Sequence, residues 1–283
     1  MSGNEQRMPF FVDGEWLQAR IEAGTALRVV QVGGEKDYPR LHIQGAVLVS
    51  YGEFTTQRDG LPGMRADESV LTALMGRLGI TAQTPVVVYD LAGGTDAARF
   101  AWTLAMLGHQ AGCALLNGGL SAWYQDRRHL DMTIPEIEPV VYRIEAEPEE
   151  RWEADRDEVL ALTEAKSEGV LVDTRTQNEY VGLTLRAPRG HLPRALHWDW
   201  MDALVGRHDP RLQSEEQLRA QCAALGLVDP EHPVIVYCET AHRAAHTWIV
   251  LRHLGWKRVR LYDGSMAEWR LCALPVIAGD TPC

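Results

Sequence analysis

The chain alternates short apolar runs, rich in β-branched residues, with longer segments of helical periodicity. Uninterrupted apolar runs lie at residues 86–89, 170–172 and 234–237. Such runs are typical of strands buried on both faces of a parallel sheet. Before the last run, Ser214 and Gln217 form a capping-box pattern and Gly226 suits a left-handed helix end, which predicts a helix. The order strand, helix, strand predicts an α/β fold with helices on both faces of each parallel sheet.

This pattern occurs twice along the chain. Residues 85–123 parallel residues 233–269 with only a small drift in offset. Matched positions include Tyr89 with Tyr237, Trp123 with Trp269, and His42 with His191. Self-similarity at a fixed spacing indicates a duplicated structural unit. We therefore expect two copies of one α/β domain.

The boundary between the copies is marked by a change in composition. Residues 136–158 contain ten acidic and three basic residues, a net charge of −7, and include two prolines. Such a segment is typical of a solvated linker. The sequence thus predicts a first domain over 1–135, an acidic linker over 136–158 and a second domain over 159–283.

Charge and composition narrow the classes of function. The formal net charge is −11, with 46% hydrophobic and 24% charged residues. A chain of this charge repels nucleic-acid phosphates and anionic lipid, so neither is an expected partner. No targeting or membrane-spanning stretch is recognised, which favours a cytoplasmic location. The five cysteines include no Cys-x-x-Cys pair, so we expect neither a disulfide framework nor a structural metal site.

Cys238 is the strongest candidate for chemistry. It follows the run 234–237, and a six-residue loop from Cys238 to Arg243 leads into a segment of helical spacing. At the carboxyl end of a parallel strand, loop amides and a helix N-terminus converge on one anion. Arg243 adds a permanent cation. This setting favours a reactive thiolate at Cys238.

The chain resembles the tandem-domain rhodanese family of sulfurtransferases. The resemblance is carried by the Cys238 loop, Asp173-Thr174-Arg175, Glu179-Tyr180, Gly190-His191-Leu192-Pro193-Arg194-Ala195 and Tyr262-Asp263-Gly264-Ser265-Met266-Ala267-Glu268-Trp269. It spans nearly the whole chain. The resemblance implies that only the second domain keeps the catalytic thiol, and Asp90 indeed aligns with Cys238.

The resemblance also implies a reaction. A sulfane sulfur passes from a small anionic donor, such as thiosulfate or 3-mercaptopyruvate, to Cys238 as a persulfide. It then passes to a thiophilic acceptor such as cyanide or a small-molecule or protein thiol. No metal and no cofactor are expected for such an exchange. The expected substrate-binding residues are the rest of the loop: Glu239, Thr240, Ala241, His242 and Arg243.

Two other classes of function are alternatives for the Cys238 loop. A cysteine-dependent phosphatase would use the same thiol, but its loop places five residues between Cys and Arg, whereas four lie between Cys238 and Arg243. A non-catalytic regulatory binding module would not need to retain this Cys and Arg. A zinc site of Cys238, His242 and His246 is disfavoured because a loop thiol and two helical imidazoles point differently.

Other residues receive structural interpretations. Asp173 and Arg175 are candidates for catalysis, but the favoured interpretation is an ion pair that fixes neighbouring loops. Trp198 and Trp200 are interpreted as core residues, although one of them could wall the pocket. His242 is interpreted as an exposed loop residue, and Asp90 as a carboxylate that would exclude anionic ligands from the first domain. The remaining cysteines are given no role: Cys113, Cys222, Cys272 and Cys283.

Two acidic residues depart from the family pattern. Glu239 lies in the loop, and Glu179 stands where relatives that use thiosulfate or mercaptopyruvate tend to carry Arg. Both put negative charge where an anionic donor approaches. A repulsion of about 3 kcal/mol is expected for unit charges roughly 6 Å apart at an effective dielectric near 20, and solvent reduces it further. We therefore expect poor affinity for dianionic thiosulfate.

Overall fold

The structure is a computed structural model that describes residues 8–145, 151–184 and 189–282. The first half contains Phe11–Val12 (β1), Gly14–Glu22 (α1), Arg28–Val32 (β2), Val47–Val49 (β3), Thr55–Arg58 (β4), Leu61–Arg65 (β5), Glu68–Arg77 (α2), Val86–Asp90 (β6), Thr95–Met106 (α3), Cys113–Leu116 (β7) and Gly119–Gln125 (α4). The second half contains Glu153–Ala154 (β8), Arg156–Thr163 (α5), Val170–Asp173 (β9), Gln177–Tyr180 (α6), Leu196–His197 (β10), Leu204–Gly206 (β11), Asp209–Leu212 (β12), Glu215–Ala224 (α7), Val234–Tyr237 (β13), His242–His253 (α8), Val259–Tyr262 (β14) and Ser265–Leu271 (α9). Short 3₁₀ turns lie at Tyr51–Glu53 and Trp200–Ala203.

The predicted α/β architecture is confirmed. Each half builds a five-stranded parallel sheet, in the orders β1-β7-β6-β2-β3 and β10-β9-β13-β14-β8. The apolar runs predicted from the sequence lie within β6, β9 and β13, and all five residues of β6 are buried. Strands covered on both faces need no polar alternation, which explains the continuous apolar runs.

The local signals for α7 are also confirmed. Ser214 accepts from the amide of Gln217, whose side chain accepts from the amide of Ser214 in return. Gly226 ends the helix with φ +79°. This capping box satisfies two donors that the first helical turn leaves unpaired. Ser214 and Gln217 therefore mark the start of this helix, and Gly226 marks its end.

Matched residues of the two repeats make the same side-chain hydrogen bonds. The Tyr89 hydroxyl accepts from the Ile43 amide at 3.1 Å, and the Tyr237 hydroxyl accepts from the Leu192 amide at the same distance. The indole N–H groups of the two matched tryptophans also make equivalent hydrogen bonds. Trp123 and Trp269 each donate at 2.8 Å to a carbonyl six residues ahead, those of His129 and Pro275. Both halves therefore use one packing plan.

The described residues divide into two compact units. One lies within Met1–Phe54 and Ala66–Glu150, and the other within Thr55–Arg65 and Arg151–Cys283. The β4–β5 hairpin, which the sequence placed with the first domain, thus groups with the second unit. Of the predicted linker, residues 146–150 lie outside the described residues, and its expected end at residue 158 falls inside α5. The domain limits 1–135, 136–158 and 159–283 stay a prediction.

No helix in the described parts of the chain is long and apolar enough to cross a bilayer.

Candidate active site

Cys238 lies directly after β13, the central strand of its sheet. Its side chain is buried, and α8 begins only four residues later at His242. Ala241, the N-cap of α8, has φ +58°, a left-handed conformation that is strained for a residue with a Cβ. This tight turn joins the end of β13 directly to the first turn of α8. The Cys238 loop (residues 238–243) therefore has the strand-to-helix geometry expected from the sequence.

Ser265 anchors this loop. Its Oγ accepts from the amides of Cys238 at 3.3 Å and Ala241 at 3.1 Å, and donates to the Tyr262 carbonyl at 2.8 Å. Sequence reasoning missed this role. A signal was present, because the other repeat carries Gly119 at the matching position, where an added Cβ would lie 2.7 Å from the Asp90 carbonyl oxygen. Ser265 thus belongs to the loop scaffold of the second repeat alone.

Two further backbone contacts tie the loop to α9. The Met266 amide donates to the Cys238 carbonyl at 3.1 Å, and the Ala267 amide donates to the Glu239 carbonyl at 3.0 Å. Because these bonds join backbone to backbone, they hold the loop whatever its side chains are. The Cys238 loop is therefore fixed before any ligand binds.

Arg243 forms a bidentate ion pair with Glu179. Its two terminal nitrogens donate to the two carboxylate oxygens at 2.6 and 2.9 Å. Burial alone would raise the pKa of Glu179, but the Arg243 guanidinium more than offsets this effect and lowers that pKa to about 2. Burial alone would lower the pKa of Arg243, whereas Glu179 and the nearby Cys238 raise it above its ordinary value. The expected loop cation is present, and Glu179 already binds it.

Glu239 forms an ion pair with Arg270 of α9. The sequence interpretation placed its negative charge in the path of the donor. In the structure, α9 packs beside the loop and brings Arg270 within reach of this carboxylate. The charge of Glu239 is therefore compensated from outside the loop.

We expect Glu239→Gln to change the KM for thiosulfate by less than about twofold, because its carboxylate pairs with Arg270 of α9 and not with Arg243, the cation that interacts electrostatically with Cys238. Steady-state kinetics at low ionic strength measure this. A KM several-fold lower in the variant would mean that Glu239 does repel the donor.

The predicted ion pair between Asp173 and Arg175 is present and deeply buried. The Arg175 Nε and a terminal nitrogen donate to the Asp173 carboxylate at 2.9 and 2.5 Å, and the Arg175 amide donates to it at 3.0 Å. Arg175 also donates to the Gly190 carbonyl at 2.8 Å. Burial disfavours the charged guanidinium, yet Asp173 outweighs this and raises the pKa of Arg175. These contacts fix the loops after β9.

In the first repeat, Asp90 occupies the place that Cys238 has in the second. Its carboxylate accepts from the amides of Ala92 at 2.9 Å, Gly94 at 2.8 Å and Ala97 at 2.9 Å. Loop and helix amides at this place therefore cradle an anion. Burial raises the pKa of Asp90, and these amides act against that shift. The carboxylate fills its own cradle, as the sequence analysis expected.

The β4–β5 hairpin lies against the loop at Thr240. A Cβ on Gly63 would lie 3.3 Å from the Thr240 Cβ. The Arg65 amide donates to the buried Asp263 carboxylate at 2.9 Å, two residues before Ser265. Sequence reasoning did not predict this contact, since the hairpin and the loop are far apart along the chain.

The histidines and tryptophans near the loop are partly or fully buried and pack against neighbouring residues. His242 is the first residue of α8 and is partly buried, which corrects its interpretation as an exposed residue. His246 is buried, its pKa is lowered to about 4 by burial, and its ring packs edge-on to Trp200 at 5.5 Å. Trp198 is buried and donates to Gln221 at 2.8 Å. Among the described residues, no group of three or more His, Cys, Asp or Glu side chains could hold a metal ion.

The other cysteines lack the setting of Cys238. Burial raises the pKa of Cys113, and it raises the pKa of Cys222 to about 11. The Cys272 sulfur accepts from Arg156 at 3.6 Å. Cys283 lies outside the described residues.

Comparison with known families gives the same assignment twice along the chain. The Rhodanese-like domain model matches residues 13–126 and again residues 155–272. The chain belongs to the rhodanese family. Each matched segment contains four of the five strands of its parallel sheet and the loop between the central strand and the following helix, so the rhodanese duplication accounts for the internal repeat.

Rhodanese relatives match over nearly the whole chain. A thiosulfate sulfurtransferase of Corynebacterium glutamicum is 33% identical over 95% of this chain and 90% of its own length. A thiosulfate sulfurtransferase of Azotobacter vinelandii is 32% identical over 93% and 94%. The crystal structure of the Tum1 protein from Saccharomyces cerevisiae has a TM-score of 0.84 at 21% identity, covering 96% of this chain and 99% of that one, and shares the fold. The rhodanese described here is a sulfurtransferase enzyme.

Proposed function

We propose that this rhodanese carries a sulfane sulfur on Cys238, taking it from a donor such as thiosulfate or 3-mercaptopyruvate and giving it to a thiophilic acceptor. One observation carries the proposal. The loop that holds an anionic carboxylate at Asp90 in the first repeat holds a thiol at Cys238 in the second. A cradle for a small anion beside a nucleophile is what a persulfide intermediate needs.

The chemistry follows from these groups. The Cys238 thiolate attacks the outer sulfur of the donor, the sulfur–sulfur bond of thiosulfate breaks, and sulfite leaves with the bonding electron pair. An outer sulfur bonded to Cys238 would extend into the place that the Asp90 carboxylate holds in the other repeat. Amides that are already fixed stabilise the charge on it without reorganising. The acceptor then attacks this outer sulfur and returns Cys238 to the thiolate.

The expected partners follow from the same chemistry. The donor is a small anion, and the acceptor is cyanide or a small-molecule or protein thiol, since each must reach a single sulfur at the loop. The net charge of −11 opposes binding to nucleic acid or an anionic membrane. A cytoplasmic location suits a thiolate enzyme, because a reducing compartment keeps Cys238 free of disulfides.

A coupled assay tests the proposed function. With thiosulfate and cyanide as substrates, thiocyanate should form with ping-pong kinetics, because sulfur resides on the enzyme between two half-reactions. Incubation with an aryl phosphate is the counter-test. Release of phosphate without thiocyanate formation would instead identify a phosphatase.

Arg243→Ala is expected to raise the barrier to sulfur transfer by about 2–4 kcal/mol, because it removes the cation of the loop and leaves Glu179 uncompensated. The double variant Arg243→Ala/Glu179→Ala should recover part of the loss, which separates the two causes. Arg151→Ala, whose side chain is 59% exposed, is the control. Unchanged kcat/KM in Arg243→Ala would show that the guanidinium does not serve the reaction.

A further inference from the structure

Glu179 is held from two directions. Its carboxylate accepts from both terminal nitrogens of Arg243, and it also accepts from the Thr176 amide at 3.1 Å and the Thr176 hydroxyl at 2.8 Å. The Thr176 contacts form the capping box of α6. A carboxylate fixed by a helix cap does not swing away readily, so Arg243 stays clamped.

The ion pair between Glu179 and Arg243 changes the net charge that an approaching donor meets. Arg243 closes the loop that begins at Cys238 and interacts electrostatically with it, so its cation lies near the reacting centre. The bidentate pair cancels that cation, and the two side chains are only 22% and 23% exposed, so solvent does little to separate them. Asp199 also interacts electrostatically with Arg243. The approach to the Cys238 loop is therefore neutral to negative, although it contains an arginine.

We infer that Glu179 is a positioning residue that selects sulfur donors by charge, acting through Arg243 to disfavour dianions relative to donors with at most one negative charge. This inference rests on the proposed function, and it names the donor class of that same site. A dianion such as thiosulfate must either displace Glu179 or bind beside a compensated guanidinium. A monoanionic thiosulfonate meets about half of that repulsion.

A matched pair of donors isolates the effect of charge. Methanethiosulfonate has a methyl group where thiosulfate has one oxygen, so it has one negative charge instead of two and a similar size. In both cases the Cys238 thiolate attacks the outer sulfur and one sulfur–sulfur bond breaks. The leaving group is sulfite from thiosulfate and methanesulfinate from methanethiosulfonate, and each takes the bonding electron pair. No oxidant or reductant is required.

The test compares kcat/KM for the two donors in the parent enzyme and in Glu179→Gln. Glutamine can still accept from Thr176, so the α6 cap is kept while the charge is lost. The ratio of thiosulfate to methanethiosulfonate kcat/KM should rise about fivefold in the variant, as expected for one unit charge at a partly exposed site. Glu215→Gln, an exposed charge change on α7, should leave the ratio unchanged.

Ionic strength gives a second measurement, and its first part uses the parent enzyme alone. In the parent, added salt should raise the ratio because it screens repulsion of the dianion more strongly, and in Glu179→Gln the slope should be smaller. Sulfur uptake from both donors with a ratio that neither salt nor Glu179→Gln changes would overturn this inference alone. If Cys238 took up sulfur from neither donor, the proposed function would fail and this inference with it.

Discussion

Cys238→Ser is expected to abolish sulfur uptake, whereas Asp90→Ala is expected to leave turnover largely intact. The reason is that a thiolate attacks a sulfur–sulfur bond and a serine hydroxyl does not. Asp90 holds the matching place in the other repeat, but its carboxylate only occupies amides of its own loop. Thiocyanate formation from thiosulfate and cyanide measures both variants.

The pair of variants is its own control. Each changes the residue at the end of a central strand, so a general loss of folding would affect both alike. Circular dichroism should show native structure in Cys238→Ser. Persulfide formation that survived in Cys238→Ser, or activity that vanished in Asp90→Ala alone, would place the reaction elsewhere.

Arg175→Ala is expected to destabilise the protein by about 3–5 kcal/mol, because it leaves the Asp173 carboxylate buried without its counter-charge. Asp173 is fully buried and Arg175 is 3% exposed, so water cannot replace the lost contacts. The midpoint of urea unfolding, followed by fluorescence, measures the change. The midpoint should move to a lower urea concentration, while the slope of the free energy of unfolding against urea concentration should stay similar.

A surface pair provides the matched comparison. Arg211→Ala removes an arginine that pairs with Asp209 at 2.9 Å, where both side chains are about a third exposed, and should cost less than about 1 kcal/mol. The double variant Asp173→Asn/Arg175→Met should recover part of the loss, because no lone charge stays buried. Equal destabilisation by Arg175→Ala and Arg211→Ala would contradict the structural role of the buried pair.

The sequence predicts well what depends on local spacing. The capping box at Ser214 and the buried run of β13 are fixed by residues within a few positions of each other, and both are confirmed. The loop at Cys238 was found for the same reason, since a strand, a short polar segment and a helix are consecutive. The duplication added a second copy of the buried central strand, β6 in the first repeat and β13 in the second.

Pairings across the fold could not be predicted in this way. Glu179 and Arg243 are 64 residues apart, and Arg270, the partner of Glu239, lies on α9. The charge of a glutamate alone does not determine which arginine pairs with it. The packing of α6, α8 and α9 around the loop determines the partner. The sequence therefore pointed to the two acidic residues but not to the arginines that compensate them, Arg243 for Glu179 and Arg270 for Glu239.

The contact of the β4–β5 hairpin with Thr240 was missed for a related reason. Contiguous sequence assigned Thr55–Arg65 to the first repeat, whereas its contacts group it with the second unit. A single hydrogen bond from the Arg65 amide to Asp263 has no sequence signature, because any residue except proline has a backbone donor. Only the folded arrangement reveals this contact.

In the proposed reaction Cys238 carries the transferred sulfur. The most direct test is a mass spectrum of the enzyme after incubation with thiosulfate, followed by peptide mapping without reducing agent. We expect a mass increase of one sulfur atom on the peptide that contains Cys238, and this increase should be lost on addition of cyanide. A sulfur adduct on the peptides of Cys113, Cys222 or Cys272 instead, or no adduct while thiocyanate is still formed, would contradict it.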